Sequence, residues 1–183
     1  NALVFADESH VTIPQIGANA FQIARPLVDV TITVSEEQIA LAILRLVELE
    51  KSVVEGAAAT PLAACMSGKL EELVARRVVL LLCGGNIDPN VLSRVIERGL
   101  VADGRLGRFT AVISDRPGGL ADLAGQIAST GASVKQIVHD RAFASPDVSA
   151  VNVLCTVEIR NHDHLAELRA LLKSRGVEIY DAT

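Results

Sequence analysis

Four consecutive residues, Cys83-Gly84-Gly85-Asn86, set a thiol, two glycines and an amide at the end of the apolar run Arg77–Cys83 (RVVLLLC). The carboxyl end of a buried strand is where open α/β sheets bind ligands. The paired glycines would let a ligand come close to the backbone. The same four residues also suit a plain strand-to-helix turn with a structural cysteine, and spacing leaves both readings open. A nucleotide-phosphate loop is disfavoured, because the turn has neither the lysine nor the hydroxyl of a P-loop and completes no dinucleotide fingerprint. Glu55 is the second candidate. It follows Val53-Val54 and precedes the small residues Gly56–Ala59, so its carboxylate is either solvated or set against a ligand.

A third group lies at Asp115-Arg116-Pro117-Gly118-Gly119. Amides exposed at a helix start can receive a carboxylate, and Asp115 could pair with an ammonium group, a combination that suits an amino-acid effector. Facing residues would come from the next strand, around Lys135 to Ile137. The alternative is a capped β-to-α turn with Pro117 in a first-turn position. His162 and His164 are two apart and would diverge on a helix, so they predict exposed side chains near a cap rather than metal ligands. His139 reads as a surface or interface residue, and no metal site is expected.

These groups need elements to hold them. The first ~25 residues, punctuated by Pro14, Gly17 and Pro26, predict loop with at most one short helix. Asp29–Val34 (DVTITV) predicts a strand. Ser35 with Gln38 makes a capping box, followed by a stripe of Ile39, Ala42, Ile43, Leu46 and Val47. Residues 56–67 predict a second helix, with Pro61 tolerated near its start. Arg77–Cys83, apolar without alternation, predicts a strand buried on both faces of a parallel sheet. A helix over 88–100 follows, and Asp103-Gly104 marks a hinge between units 1–103 and 104–183.

Beyond the hinge the pattern is β-α-β-β-α-β. Phe109, Ala111 and Ile113 alternate, and Leu120, Leu123, Ala124, Ile127 and Ala128 line a helix. Ser133–Phe143 alternates less cleanly, as a bulged strand does, and Pro146 lies in a turn. Val151 to Ile159 alternate strictly. Asn161 caps a helix faced by Leu165, Leu168, Leu171 and Leu172, and Val177–Tyr180 ends the unit. This order implies a four-stranded antiparallel sheet with both helices on one face. The other face needs a cover, and a second copy is the simplest one.

Composition narrows the partners. Half of the 183 residues are hydrophobic but only 3% are aromatic, which suits an aliphatic α/β core and disfavours base stacking. The formal charge of −5 argues against nucleic acid as a partner. Three widely spaced cysteines predict free thiols in a reducing, cytoplasmic compartment. No apolar run approaches the ~18 residues of a membrane span, and no signal peptide opens the chain. Asn at position 1 suggests a processed or truncated chain.

Val28-Asp29, Val34-Ser35-Glu36-Glu37, Val53-Val54-Glu55-Gly56-Ala57-Ala58-Ala59 and Leu82-Cys83-Gly84-Gly85-Asn86-Ile87-Asp88 occur in this order. Together they resemble the C-terminal third of the catalytic domain of threonine dehydratases, pyridoxal-phosphate ammonia-lyases acting on L-threonine and L-serine. Ser114-Asp115-Arg116-Pro117-Gly118-Gly119-Leu120 resembles the single ACT-type regulatory domain that follows it in some members. The resemblance implies the end of a fold-type II parallel-sheet domain, then a ferredoxin-like ACT domain that pairs and often binds amino acids. It implies that Cys83 faces the pyridine nitrogen of pyridoxal phosphate, a position usually held by serine. A neutral partner there holds the ring nitrogen protonated less than an aspartate would, which suits β-elimination over transamination. It also implies that Glu55 lies near the cofactor ring and that Gly84, Gly85 and Asn86 shape the same edge. The family's cofactor-linking lysine and phosphate loop lie upstream, and Lys51, Lys69, Lys135 and Lys173 stand in other contexts. The resemblance therefore implies a chain that needs the rest of the catalytic domain as partner and is inactive alone. The alternative is a non-catalytic amino-acid-binding or dimerising module.

Overall fold

The computed structural model describes residues 4–8, 18–140 and 149–181, which fall into two compact units, Asn1–Ala102 and Asp103–Thr183. In the first unit, strand β1 (Val4–Glu8) pairs with β2 (Val30–Val34) in parallel, Val4 opposite Val30 and Glu8 opposite Val34. Helix α1 (Ala18–Ala24) lies between them in sequence. The loop expected before residue 25 therefore contains a strand as well as the one short helix. That strand is five residues long and ends in Asp7-Glu8, too short and too acidic to stand out as a pattern. Pro14 and Gly17 lie outside the described residues.

Helix α2 (Glu36–Arg45) starts as expected, with the Ser35 hydroxyl accepting from the Gln38 amide and the Gln38 side chain accepting from the Ser35 amide. It widens into a five-residue π-turn, Leu46–Glu50, ended by Lys51 at φ 54°. Ile39, Ala42, Ile43 and Leu46 are buried, and Val47 packs against the core they form with Ile32, Val34 and the alanines of α3 (Gly56–Met66). Pro61 lies inside α3, one turn beyond its expected place. Helix α4 (Pro89–Ala102) crosses α2 at Gly99, where a β-carbon would sit 2.8 Å from the Ala40 carbonyl oxygen. Only a residue without a side chain lets the two helices approach this closely.

One expectation fails in this unit. Arg77–Cys83 is neither paired nor buried. It has no strand partner among the described residues, and Val79 and Leu81 are 95% and 74% exposed. The run has the composition of a central strand, but a strand exists only where a neighbour takes up its N–H and C=O groups.

The second unit follows the expected order. Strands β3 (Leu106–Ser114), β4 (Ser133–Asp140), β5 (Ala150–Glu158) and β6 (Glu178–Asp181) form an antiparallel sheet ordered β4-β5-β3-β6. Helices α5 (Gly119–Ser129) and α6 (His162–Ser174) complete a ferredoxin-like β-α-β-β-α-β unit. Phe109, Ala111, Val151, Val153, Cys155 and Val157 share its core with Leu123 and Ile127 of α5 and Leu168 and Leu172 of α6. Leu120 and Ala128, expected in the same stripe, are exposed; they sit at the edges of the α5 face that the sheet covers. The expected bulge lies between Val134 and Gln136. The expected end of this strand at Phe143 and the turn at Pro146 fall outside the described residues.

His164 corrects the expectation for the histidine pair. His162 is exposed, but His164 is 2% exposed. Its backbone amide donates to the Asn161 cap at 2.9 Å, which turns the ring inward. There Nδ1 accepts from the Arg160 amide at 3.2 Å, so Nε2 carries the proton and donates to the Thr130 carbonyl at 2.9 Å. One imidazole thus ties the end of α5 to the start of α6. Replacing it leaves a part-buried amide and a part-buried carbonyl without this partner. His164→Ala should destabilise this unit by roughly 2 kcal/mol, visible as a ~10 °C lower midpoint in thermal unfolding.

Candidate functional site

The glycine turn and Glu55 come together although 29 positions separate Glu55 from Gly84. The Glu55 amide donates to the Gly84 carbonyl at 3.1 Å. Gly84 has φ 109°, a conformation that L residues avoid. A β-carbon there would lie 2.5 Å from Glu55 Oε1, and one on Gly85 would lie 3.3 Å from the Val53 carbonyl oxygen. The Gly85 carbonyl in turn accepts from the Ile87 amide at 3.0 Å. Asp88 then starts α4, its Oδ1 accepting from the amides of Asn90 at 2.8 Å and Val91 at 3.3 Å. Each glycine is therefore fixed by a neighbour from the 53–55 segment, and the half-buried Glu55 carboxylate lies against the turn.

A cavity of about 380 Å³ opens beside this junction. Glu55, Gly56 and Asn86 form part of its wall, Ile39, Ile43 and Val95 give it an apolar side, and Glu36, Asp88 and Arg98 add charge. Cys83 is exposed at the outer end of the turn and does not line the cavity. The three thiols differ in environment. Burial pushes the Cys155 thiol up to about 11, and partial burial also raises that of Cys65. Cys155 faces the core of the second unit and contacts the Val153 carbonyl at 3.8 Å, so it takes no part in this site.

The donor set suits one wall of a pyridoxal-phosphate pocket: a thiol, a backbone bared by two glycines, an amide and a carboxylate on one junction. The first unit's described lysines make other contacts. Lys51 Nζ donates to the Glu48 carbonyl at 2.5 Å and Lys69 Nζ to the Thr33 carbonyl at 2.7 Å, while Lys135 and Lys173 belong to the second unit.

The turn at Asp115–Gly119 is exposed along most of its length. The Asp115 amide donates to the Ser149 carbonyl at 2.9 Å and the Gly119 amide to the Arg116 carbonyl at 3.1 Å. Gly118, at φ 96°, is the N-cap of α5, and its carbonyl accepts from the Asp122 amide at 2.9 Å. Lys135 and Ile137 are not beside this turn within one copy. Gln136 pairs with Thr156, which is opposite Arg108. The turn follows Ser114, six residues further along β3, or roughly 20 Å. Ile137 also packs against the core of its own unit.

Residues 4–84 match the family of pyridoxal-phosphate dependent enzymes. The chain is 42% identical over 166 residues to L-threonine ammonia-lyase of Geobacter sulfurreducens, covering 91% of this chain and 41% of that protein. It is 34% identical over 169 residues to L-threonine ammonia-lyase of Thermotoga maritima, covering 92% of this chain and 42% of that one. Thus the chain spans about two fifths of the length of these curated relatives. A crystal structure of the ACT domain from GTP pyrophosphokinase of Chlorobium tepidum is 22% identical, covering 42% of this chain and 96% of that one with a TM-score of 0.33.

Two outcomes test the geometry. Gly84→Ala should cost about 2 kcal/mol, through the strained backbone and the clash with Glu55, and should lower the urea midpoint of the first unit. Native chain treated with iodoacetamide at pH 8 should be modified at Cys83 and spared at Cys155, where about one thiol in a thousand is ionised. Peptide mass mapping before and after denaturation would read this out.

Proposed function

Since residues 4–84 match the pyridoxal-phosphate dependent enzymes, we propose that the chain is the C-terminal portion of an ammonia-lyase converting L-threonine to 2-oxobutanoate and ammonia, with L-serine as the second candidate substrate. The observation that carries this reading is the junction of Glu55 with Gly84, which joins two segments of the first unit into one wall. When bound, pyridoxal phosphate supplies the electron sink for loss of the α-proton and the β-hydroxyl. In this reading Cys83 lies against the ring nitrogen as a neutral group. Gly84, Gly85 and Asn86 shape the edge of the pocket, and Glu55 holds the turn in place. The residues that link the cofactor and grip its phosphate would come from the rest of the catalytic domain, so this chain alone is inactive and holds the cofactor poorly. The second unit would regulate, with Asp115, Arg116, Gly118 and Gly119 receiving an amino-acid effector. Lys135 and Ile137 could reach that turn only from another copy.

The chain alone should give no cofactor absorbance band on addition of pyridoxal phosphate. Mixed with the remaining N-terminal part of the Geobacter sulfurreducens relative, it should restore both the band and 2-oxobutanoate formation. In that complex Cys83→Asp should slow turnover about tenfold or more, since a carboxylate would hold the ring nitrogen protonated. Absence of both band and product from the mixture would leave the amino-acid-binding module as the better reading. The exposed turn at Asp115 favours that second reading, and calorimetry with L-isoleucine, L-valine, L-serine and L-threonine, repeated on Asp115→Ala, tests it.

A further inference from the structure

The cavity of about 380 Å³ beside Glu55 lies wholly within the first unit, and the cofactor wall leaves it without an occupant of its own. Its size falls at the small end of the range of small-molecule pockets, roughly 300–1,000 Å³. One side is rigid. Ile39 and Ile43 of α2 are 3% and 1% exposed and belong to the packed core, against which Val95 of α4 also rests. Val91, 37% exposed, extends this apolar strip one turn earlier on α4. The charges on the wall differ in what they already do. The Asp88 carboxylate caps α4 through the Asn90 and Val91 amides, and the Glu55 carboxylate fills the space beside Gly84. The side chains of Glu36 and Arg98 have no ion-pair or hydrogen-bond partner among the described residues, each other included. Arg98 follows Val95 by about one turn of α4, and side chains on a helix lean toward its N-terminus, which brings the guanidinium back over the apolar strip.

We propose that this cavity binds a free α-amino acid with a short aliphatic side chain, of the size of valine. Arg98 pairs with the α-carboxylate, Glu36 pairs with the α-ammonium, and the side chain lies along Val91, Val95 and Ile43. A zwitterion answers both open charges at once. A carboxylic acid alone would bring a second negative charge toward Glu36, and an amine alone would leave Arg98 unmatched. A phosphate is disfavoured, because Glu36, Glu55 and Asp88 share the wall with one guanidinium. The site is separate from the turn at Asp115–Gly119, which belongs to the second unit, and it does not depend on the enzymatic reading above. Glu55 and Asn86 belong both to this wall and to the glycine junction, so an occupant would also steady that junction.

The test is equilibrium dialysis of radiolabelled L-valine against the full chain carrying Asp115→Ala, which disables the turn of the second unit. That chain should still bind one L-valine per copy, with a Kd below about 1 mM. Adding Arg98→Gln or Glu36→Gln should weaken binding about tenfold each. Both residues are exposed, and circular dichroism checks that each variant is folded. 3-Methylbutanoate and 2-methylpropylamine keep the side chain but lose the ammonium or the carboxylate, and they should compete at least about tenfold more weakly than L-valine. A folded Asp115→Ala chain that retains no L-valine at about 10 mM overturns the proposal. So does binding that both added substitutions leave unchanged, which would place the ligand outside the cavity. Either analogue competing as well as L-valine would overturn recognition of the zwitterion.

Discussion

Backbone N–H and C=O groups buried away from water need partners, and the two units meet that demand differently. In the second unit β5 lies between β4 and β3, and β6 closes the other side of β3. Nine consecutive pairs from Leu106–Glu158 to Ser114–Ala150 hold β3 to β5. That ladder fixes which residues point into the core, and so where α5 and α6 pack. In the first unit β1 and β2 pair with each other, and the helices α2, α3 and α4 carry the rest. The glycine turn there is not held by a sheet. It is held by the Glu55 amide and by close contact with the 53–55 segment.

The second unit was legible in the sequence because each of its elements is a complete local pattern. Alternation from Val151 to Ile159, a cap at Asn161 and a helical stripe of leucines each determine one element without outside help. The capping box at Ser35 was legible for the same reason. Arg77–Cys83 shows where such reading stops. Composition gives the burial a segment suits, while pairing depends on a neighbour that composition does not contain. His164 departs from its expected exposure for a related reason. Its spacing from His162 described a free helix, whereas its burial comes from Thr130, thirty-four residues away.

The candidate site was partly legible. Two glycines after an apolar run drew attention to residues 83–86, and the resemblance tied them to Glu55. The spacing could not reveal that the Glu55 carboxylate fills the space where a side chain on Gly84 would go. That contact makes the turn one structural unit with the start of α3 and separates a shaped wall from an ordinary turn. Lys135 and Ile137, expected to face Asp115 from the next strand, stand within one copy at the far end of the sheet from it.

The exposed run after Arg77 also bears on how the chain behaves in solution. Val78 to Leu82 is apolar, uncharged and rich in strand formers, the composition of segments that nucleate cross-β assembly. Arg76 and Arg77 stand immediately before it, and both are exposed. Charges flanking such a segment oppose the stacking of identical copies by like-charge repulsion. Rising salt, by screening these two guanidinium groups, weakens that repulsion.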